Sequence, residues 1–362
     1  MRVLQVCSAK SIGGGERHVL DLCLGLAESG HEVHLAVRPD GDLAKALPKT
    51  GIQVHLVPIR NSADIAGALK LRRIIKRNRI EIVHAHVGRD YLPSAFAARW
   101  LQAALVLTRH HYYPFRAGPF YESLIGNARL VIAVSRSVAE GISEAFPGLA
   151  NRVRVIPNWL SGSEPLSREE ARQQLGIRAE LAVGMIGEIN QIKGQKLTAG
   201  SFASLPEELR ARSELVLIGR SSNTEYRQDI EEAWPETRFL GELNDAAALA
   251  SAFDVLVVAS QGEGFSLAAI EGMRAGTALA CSRTPALEEL VREGETGRFF
   301  DFEGSSCTLS RVLEDLLRNP EAREELGSNA RREATERFNR GRILGLIQAE
   351  YEKLATSRTS SN

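Results

Sequence analysis

The chain has 362 residues, 44% of them hydrophobic and 25% charged, with 45 Lys+Arg against 45 Asp+Glu. At ~150 residues per domain this length predicts about two soluble globular domains, and the balanced charge argues against a nucleic-acid binder relying on bulk positive charge. The four cysteines form no CxxC pair, which fits a reducing cytosol; the opening Met-Arg-Val-Leu-Gln-Val-Cys is too short for a signal-peptide core, and no apolar run approaches the ~20 residues needed to span a bilayer.

From the N-terminus, short β-rich runs alternate with helical patterns. Arg2–Cys7, Val33–Val37, Gln53–Val57, Ile80–Ala85, Ala104–Thr108, Leu130–Val134 and Arg152–Ile156 read as strands, with helical stretches such as Glu16–Glu28 and Ser62–Arg77 between them. The apolar runs hardly alternate, as expected for parallel strands covered on both faces, and the rhythm is that of a doubly wound α/β domain. Pro157–Pro165, with two prolines, a glycine and several polar residues, reads as a linker. The rhythm restarts with Leu181–Ile186, Leu215–Ile218, Arg238–Leu240, Val255–Ala259 and Ala278–Cys281. Two Rossmann-like domains facing across a cleft are expected, 1–160 and 161–338, with a last helix at about 339–355 crossing back to the first. The polar tail Thr356–Asn362 reads as frayed.

The most informative motif is Glu263–Glu271. A strong strand pattern precedes it and a helical pattern runs on to Gly276, so Glu263 falls in a strand-to-helix loop and Glu271 about a turn inside the helix. Such a loop aims backbone N–H groups and a partly positive helix end at the space above the sheet edge, which suits a phosphate. Carboxylates accept hydrogen bonds in pairs, which suits vicinal sugar hydroxyls. One short segment can thus hold both halves of a nucleotide sugar. The plainer reading makes Ser266 an ordinary N-cap and Glu271 a solvated helix residue.

Other candidates have similar alternatives. Gly13, Gly14 and Gly15 follow the first strand and let the backbone approach a ligand, or simply make a tight turn. They are not a dinucleotide fingerprint, because His18 takes the third glycine's place and Asp40 meets the acidic requirement only loosely. Lys193, in Glu188–Gly194, can meet the charge of a leaving diphosphate, or be a surface lysine beside a turn. His84 and His86 share a strand face but have no apparent third metal ligand, so packing or polar contacts are expected. His110 ends a strand pattern, with His111 beside it as a competing assignment. The basic run Lys70–Arg79 reads as a helix covering the sheet with its charged face in water, or as a patch for anionic lipid.

These segments, in this order, resemble the GT-B glycosyltransferases of family 4, the retaining, nucleotide-sugar-dependent enzymes of the group 1 type. The resemblance covers nearly the whole chain. Ser11–Arg17 is similar to the glycine loop, Ile82–His86 and Thr108–His110 to the ends of inner strands, Ala133–Ser135 and Val155–Asn158 to the approach to the hinge, Gly187–Gly194 to the phosphate loop, and Glu263 with Glu271 to the paired glutamates. It implies a GT-B fold with an acceptor-binding first domain and a donor-binding second domain, retention of configuration, no metal and no cofactor beyond a UDP- or GDP-linked sugar as substrate. It implies His110, Lys193 and Glu263 as catalytic residues. Gly14, Gly15, Gly187, Lys193, Glu263, Gly264, Phe265, Ser266, Leu267 and Glu271 would contact the donor, Glu271 through the ribose hydroxyls. The chain departs from the pattern at Glu188, where relatives often carry arginine. A carboxylate there repels a diphosphate, and Arg220 is the expected compensating cation, because strand ends share one rim in such folds. Acceptor choice is expected from loops including Tyr112–Arg116. The resemblance further implies a cytoplasmic protein with a glycan or lipid-linked acceptor, serving cell-envelope polysaccharide, lipopolysaccharide or glycolipid synthesis, with peripheral contact at the inner membrane surface. The rivals are a GT-B nucleotide-sugar epimerase, a non-catalytic nucleotide-sugar-binding module and, more weakly, a dehydrogenase.

Overall fold

The computed structural model describes residues 1–46, 51–112, 118–301 and 307–359; residues 113–116 of the aromatic run Tyr112–Arg116 lie outside them. The chain divides into two compact units, Met1–Ser161 together with Arg340–Asn362, and Gly162–Asn339.

In the first unit, β1 (Arg2–Cys7), β2 (Glu32–Val37), β3 (Gln53–Leu56), β4 (Ile82–Ala85), β5 (Ala104–Arg109), β6 (Leu130–Ala133) and β7 (Val153–Val155) form one sheet in the order β3-β2-β1-β4-β5-β6-β7. All pairings are parallel; Val3 is in register with Val33 on one side and Ile82 on the other. β1 buries Val3, Leu4, Val6 and Cys7 completely, which is why its sequence shows a continuous apolar run. The helix Ile65–Arg77 starts at Asp64, whose carboxylate accepts from Gly67 N at 2.8 Å, and ends on Lys76 and Arg77, which suit the helix dipole. It buries Leu71, Ile74 and Ile75 and leaves Lys70, Arg73, Lys76 and Arg77 exposed, while Arg72 donates to the Ala97 carbonyl at 3.2 Å and the Arg99 carbonyl at 2.7 Å.

The last helix, Arg340–Thr359, belongs to this unit. Leu344 packs where Gly25 of the helix Gly14–Glu28 has no side chain; a Cβ there would come within 2.7 Å of it. The buried Tyr351 hydroxyl sits 2.6 Å from His84 Nδ1 and accepts from Gln5 Nε2 at 3.2 Å. The frayed tail expected from Thr356 onward is corrected as far as Thr359: the helix continues, with the Thr356 hydroxyl donating to the Glu352 carbonyl at 3.0 Å, and residues 360–362 lie outside the described part.

In the second unit, β8 (Leu181–Ile186), β9 (Ser213–Ile218), β10 (Arg238–Phe239), β11 (Val255–Val258), β12 (Ala278–Ser282) and β13 (Arg298–Phe300) form a parallel sheet in the order β10-β9-β8-β11-β12-β13. β13 was not expected: three residues opening on an arginine carry too little apolar signal, although Phe300 is fully buried. Both sheets reverse their winding direction beside their first strand, between β1 and β4 and between β8 and β11. These switch points, at the C-terminal ends of the strands, are where open α/β sheets form crevices. No helix among the described residues is long and apolar enough to cross a membrane.

Candidate functional site

The second unit gathers its candidate residues at the β8/β11 switch point. Beyond β8 the chain makes a short turn, Gln191–Lys193, capped by the Asn190 carboxamide, which accepts from Lys193 N at 3.2 Å. It then enters the helix Gln195–Ala203 through Gly194 at φ +75°. Gly194 lies so close to the end of β11 that a Cβ would fall 2.4 Å from the Ala259 carbonyl oxygen. Glycine is therefore required twice over, for its left-handed backbone and for the approach. Gln261 N donates to the Ile192 carbonyl at 2.8 Å and so ties the loop after β11 to the loop after β8. The buried Gln195 side chain donates to the Glu188 carbonyl at 3.0 Å.

Across this crevice the Lys193 ammonium pairs with the Glu263 carboxylate, which also accepts from the Ser260 hydroxyl at 2.5 Å. The Glu263 side chain is only 7% exposed and Lys193 33%, so the pair is fixed at the crevice wall. Ser260 is itself held by Ser282, whose hydroxyl donates to the Ser260 carbonyl at 2.7 Å. Ser266 caps the helix Leu267–Ala275, accepting from Ala269 N at 3.4 Å, as the plainer reading of that serine required. Its backbone position nevertheless sets the Gly264–Leu267 amides at a helix N-terminus. Phe265 packs edge-on against Phe338 at 5.8 Å, and Glu271 is half-buried in the helix's second turn. Two helix N-termini, one ammonium and two carboxylates thus lie on the loops and helices that follow β8 and β11. Such a set can bind an anion and a polyol together.

Glu188 is exposed, and so is Arg220 at the exit of β9. Their strand ends do share a rim: Ile189 N donates to the Arg220 carbonyl at 2.9 Å, and Gly187 N to the Ile218 carbonyl at 2.8 Å. Gly187 (φ +143°) and Gly219 (φ +154°) touch there; a Cβ on Gly219 would fall 1.8 Å from the Gly187 carbonyl oxygen.

In the first unit the glycine loop behaves differently. Gly14 and Gly15 open the helix Gly14–Glu28, and the Glu16 carboxylate accepts from Gly13 N at 2.9 Å, so an acidic side chain already lies at this helix end. A Cβ on Gly15 would sit 3.5 Å from the His110 ring. That ring lies 5.8 Å from His86 and 5.5 Å from His18, and neither of its buried nitrogens has a protein partner. Burial holds His110 and His86 well below the usual imidazole range and brings His18 and His84 down to about 3, so the cluster is neutral. His111 is exposed, and His110 is the one beside the glycine loop. His84 spends both ring nitrogens on Tyr351 and Thr108, each at 2.6 Å, and His86 Nε2 lies 2.7 Å from Gln5 Oε1. They are packing residues. No group of three or more His, Cys, Asp or Glu that could hold a metal occurs among the described residues.

Several site residues escaped the sequence reading. Ser260 and Gln195 carried no pattern. His18 and Trp159 pack at 4.2 Å beside His110; His18 was legible only as the residue that breaks the dinucleotide fingerprint. Asp90, fully buried, accepts from Ser8 N at 2.9 Å and also from its hydroxyl, and burial raises its carboxyl to about 6.

Two family models match the chain: Glycosyltransferase Family 4 over residues 12–161 and Glycosyl transferases group 1 over residues 167–333. The phosphatidyl-myo-inositol mannosyltransferase of Mycobacterium leprae is 27% identical over 99% of this chain and 98% of its own length. The N-acetyl-alpha-D-glucosaminyl L-malate synthase of Bacillus anthracis is 23% identical over 94% of each chain. Among solved structures, Anabaena Alr3699/HepE in complex with UDP and glucose superposes with a TM-score of 0.83 at 20% identity, covering 98% of this chain and 100% of that one. A glycosyltransferase from Rickettsia africae superposes with a TM-score of 0.86 at 19% identity, covering 98% of each.

Proposed function

Because this chain belongs to the family 4, group 1 glycosyltransferases and has their GT-B fold, we propose that it transfers a sugar from a UDP- or GDP-linked donor to an acceptor hydroxyl, with retention of configuration. The Lys193–Glu263 pair at the β8/β11 switch point carries this reading. On it, the second unit grips the donor. Lys193, Arg220 and the Gly264–Leu267 amides meet the diphosphate, Glu271 accepts from the ribose hydroxyls, and Glu263 turns to the sugar's hydroxyls. As the bond from the anomeric carbon to phosphate breaks, its electron pair goes to the leaving diphosphate. Fixed cations and N–H groups stabilise that charge without reorganising. The acceptor oxygen bonds to the same face of that carbon, and its proton passes to the departing phosphate oxygen. Gly14 and Gly15 approach the donor from the first unit, which otherwise holds the acceptor, and beside them the neutral His110 imidazole hydrogen-bonds to the reacting sugar. The acceptor class is a glycan or lipid-linked glycan of cell-envelope synthesis, reached from the cytoplasmic face of a membrane. Support for that class comes from relatives such as the Mycobacterium leprae mannosyltransferase.

A thermal-shift screen against UDP-, GDP- and ADP-sugars, repeated with Lys193→Ala, Glu271→Ala and Arg220→Ala, tests the assignment. Removing one charge-assisted contact costs about 1.5–3 kcal/mol, roughly ten- to a hundredfold in donor affinity. Folded Lys193→Ala and Glu271→Ala proteins that kept full affinity for every donor would remove the transferase reading. An unchanged donor KM in Arg220→Ala would remove only that residue's compensating role.

A further inference from the structure

We infer that Ser260 is a positioning residue for sugar transfer: it fixes one oxygen of Glu263 and thereby presents the other to the sugar of the bound nucleotide. This role presupposes the donor site proposed above. The Lys193 ammonium and the Ser260 hydroxyl, the latter at 2.5 Å, donate to the same carboxylate oxygen, Oε1. Among the described residues none donates to Oε2. An ionised carboxylate only accepts, so Oε2 is the oxygen that can take a hydrogen bond from a sugar hydroxyl. Where it points depends on what holds Oε1.

The two groups that hold Oε1 respond differently to a nucleotide. Lys193 carries its charge on a flexible, partly exposed stem, so a bound diphosphate attracts it and slackens its hold on Glu263. Ser260 is uncharged and buried, and the one proton of its hydroxyl already goes to Oε1. Its backbone is pinned as well. The peptide unit joining Ser260 to Gln261 is bonded at both ends. Its carbonyl oxygen accepts from the Ser282 hydroxyl at 2.7 Å, and its N–H donates to the Ile192 carbonyl at 2.8 Å. Ser282 closes β12 and is fully buried, while Ile192 stands next to Lys193. Serine hydroxyls commonly bond a nearby backbone group, whereas this one is turned on a carboxylate three residues further on. With Ser260 in place, Glu263 keeps its aim while the lysine meets phosphate. Without it, Glu263 follows the lysine, and the sugar is held loosely while the nucleotide is held as before.

Calorimetric titration tests this, using whichever UDP-, GDP- or ADP-sugar stabilises the parent most and the matching nucleoside diphosphate alone. Ser260→Ala should weaken binding of the nucleotide sugar about five- to tenfold and of the bare diphosphate less than about twofold. A merely structural serine would weaken both alike. In a Glu263→Ala background, Ser260→Ala should add less than about twofold, because the serine acts through that carboxylate. Undiminished sugar-nucleotide binding by folded Ser260→Ala, equal loss of the bare diphosphate, or full additivity with Glu263→Ala would overturn the inference and leave the transferase reading standing. Should Ser260→Ala not fold, Ser282→Ala, which frees the pinned carbonyl, must show the same split between the two ligands, and an even loss there overturns the inference equally. A parent that bound no nucleotide sugar would remove the transferase reading, and this role with it.

Discussion

Single residues decide whether the β8/β11 crevice keeps its shape, and Gly194 is the most constrained of them. Its φ of +75° and the 2.4 Å that would separate a Cβ from the Ala259 carbonyl oxygen leave no room for a side chain. Gly194→Ala should therefore cost about 1–3 kcal/mol in urea denaturation and displace Lys193, weakening nucleotide-sugar binding together with stability. A variant with unaltered denaturation and binding would show that the loop is not held by this approach. Glycine and lysine at this place were legible in the sequence as a turn with a cation. The partner that orients the lysine was not, because Glu263 lies 70 positions away and only the fold brings them together. The same limit hid Ser260 and His18, whose roles depend on neighbours rather than on spacing.

At the scale of elements, strands were the most legible part of the chain. Parallel strands buried on both faces leave continuous apolar runs, and the expected boundaries of β1 and β8 coincide with the observed ones. β13 was missed, since three residues do not make a run. The closing helix was legible as a helix. What holds it was not: Tyr351 meets His84 across 267 positions of sequence. Tyr351→Phe keeps the ring and removes the hydroxyl, leaving two buried groups, His84 Nδ1 and Gln5 Nε2, without that partner. An unsatisfied buried polar group costs about 1–3 kcal/mol. Hydrogen exchange should show earlier opening of Arg340–Thr359 in this variant; unchanged protection would assign the helix's hold to Ile343, Leu344 and Ile347 alone.

For the whole molecule, the distribution of histidine sets the response to acid. All eight histidines lie between positions 18 and 111, so the second unit has none. Burial keeps His18, His84, His86 and His110 neutral when folded, with His18 and His84 at about 3 against 6.5 for a free imidazole. On unfolding they take up protons below pH 6.5. Their contribution to stability is therefore complete above 6.5 and declines as pH falls toward 3, by up to ~1.4 kcal/mol per pH unit for each histidine. Asp90 acts in the opposite sense. Raised from 3.8 to about 6, it holds a proton in the folded state through that window, so its share is present at low pH and is lost as pH rises through 6, offsetting about one histidine. Urea denaturation at pH 7.5 and 5.5, followed separately for each unit, should show the first weakening and the second holding. Parallel loss in both would contradict this account.

The chain leaves the first unit at Ser161 and returns to it at Arg340. A ribosome therefore releases the entire second unit before it supplies the Tyr351 hydroxyl that Gln5 and His84 require. The domain begun first is finished last, and a premature stop near the 3′ end of the message would injure the oldest part of the polypeptide while sparing the newer one.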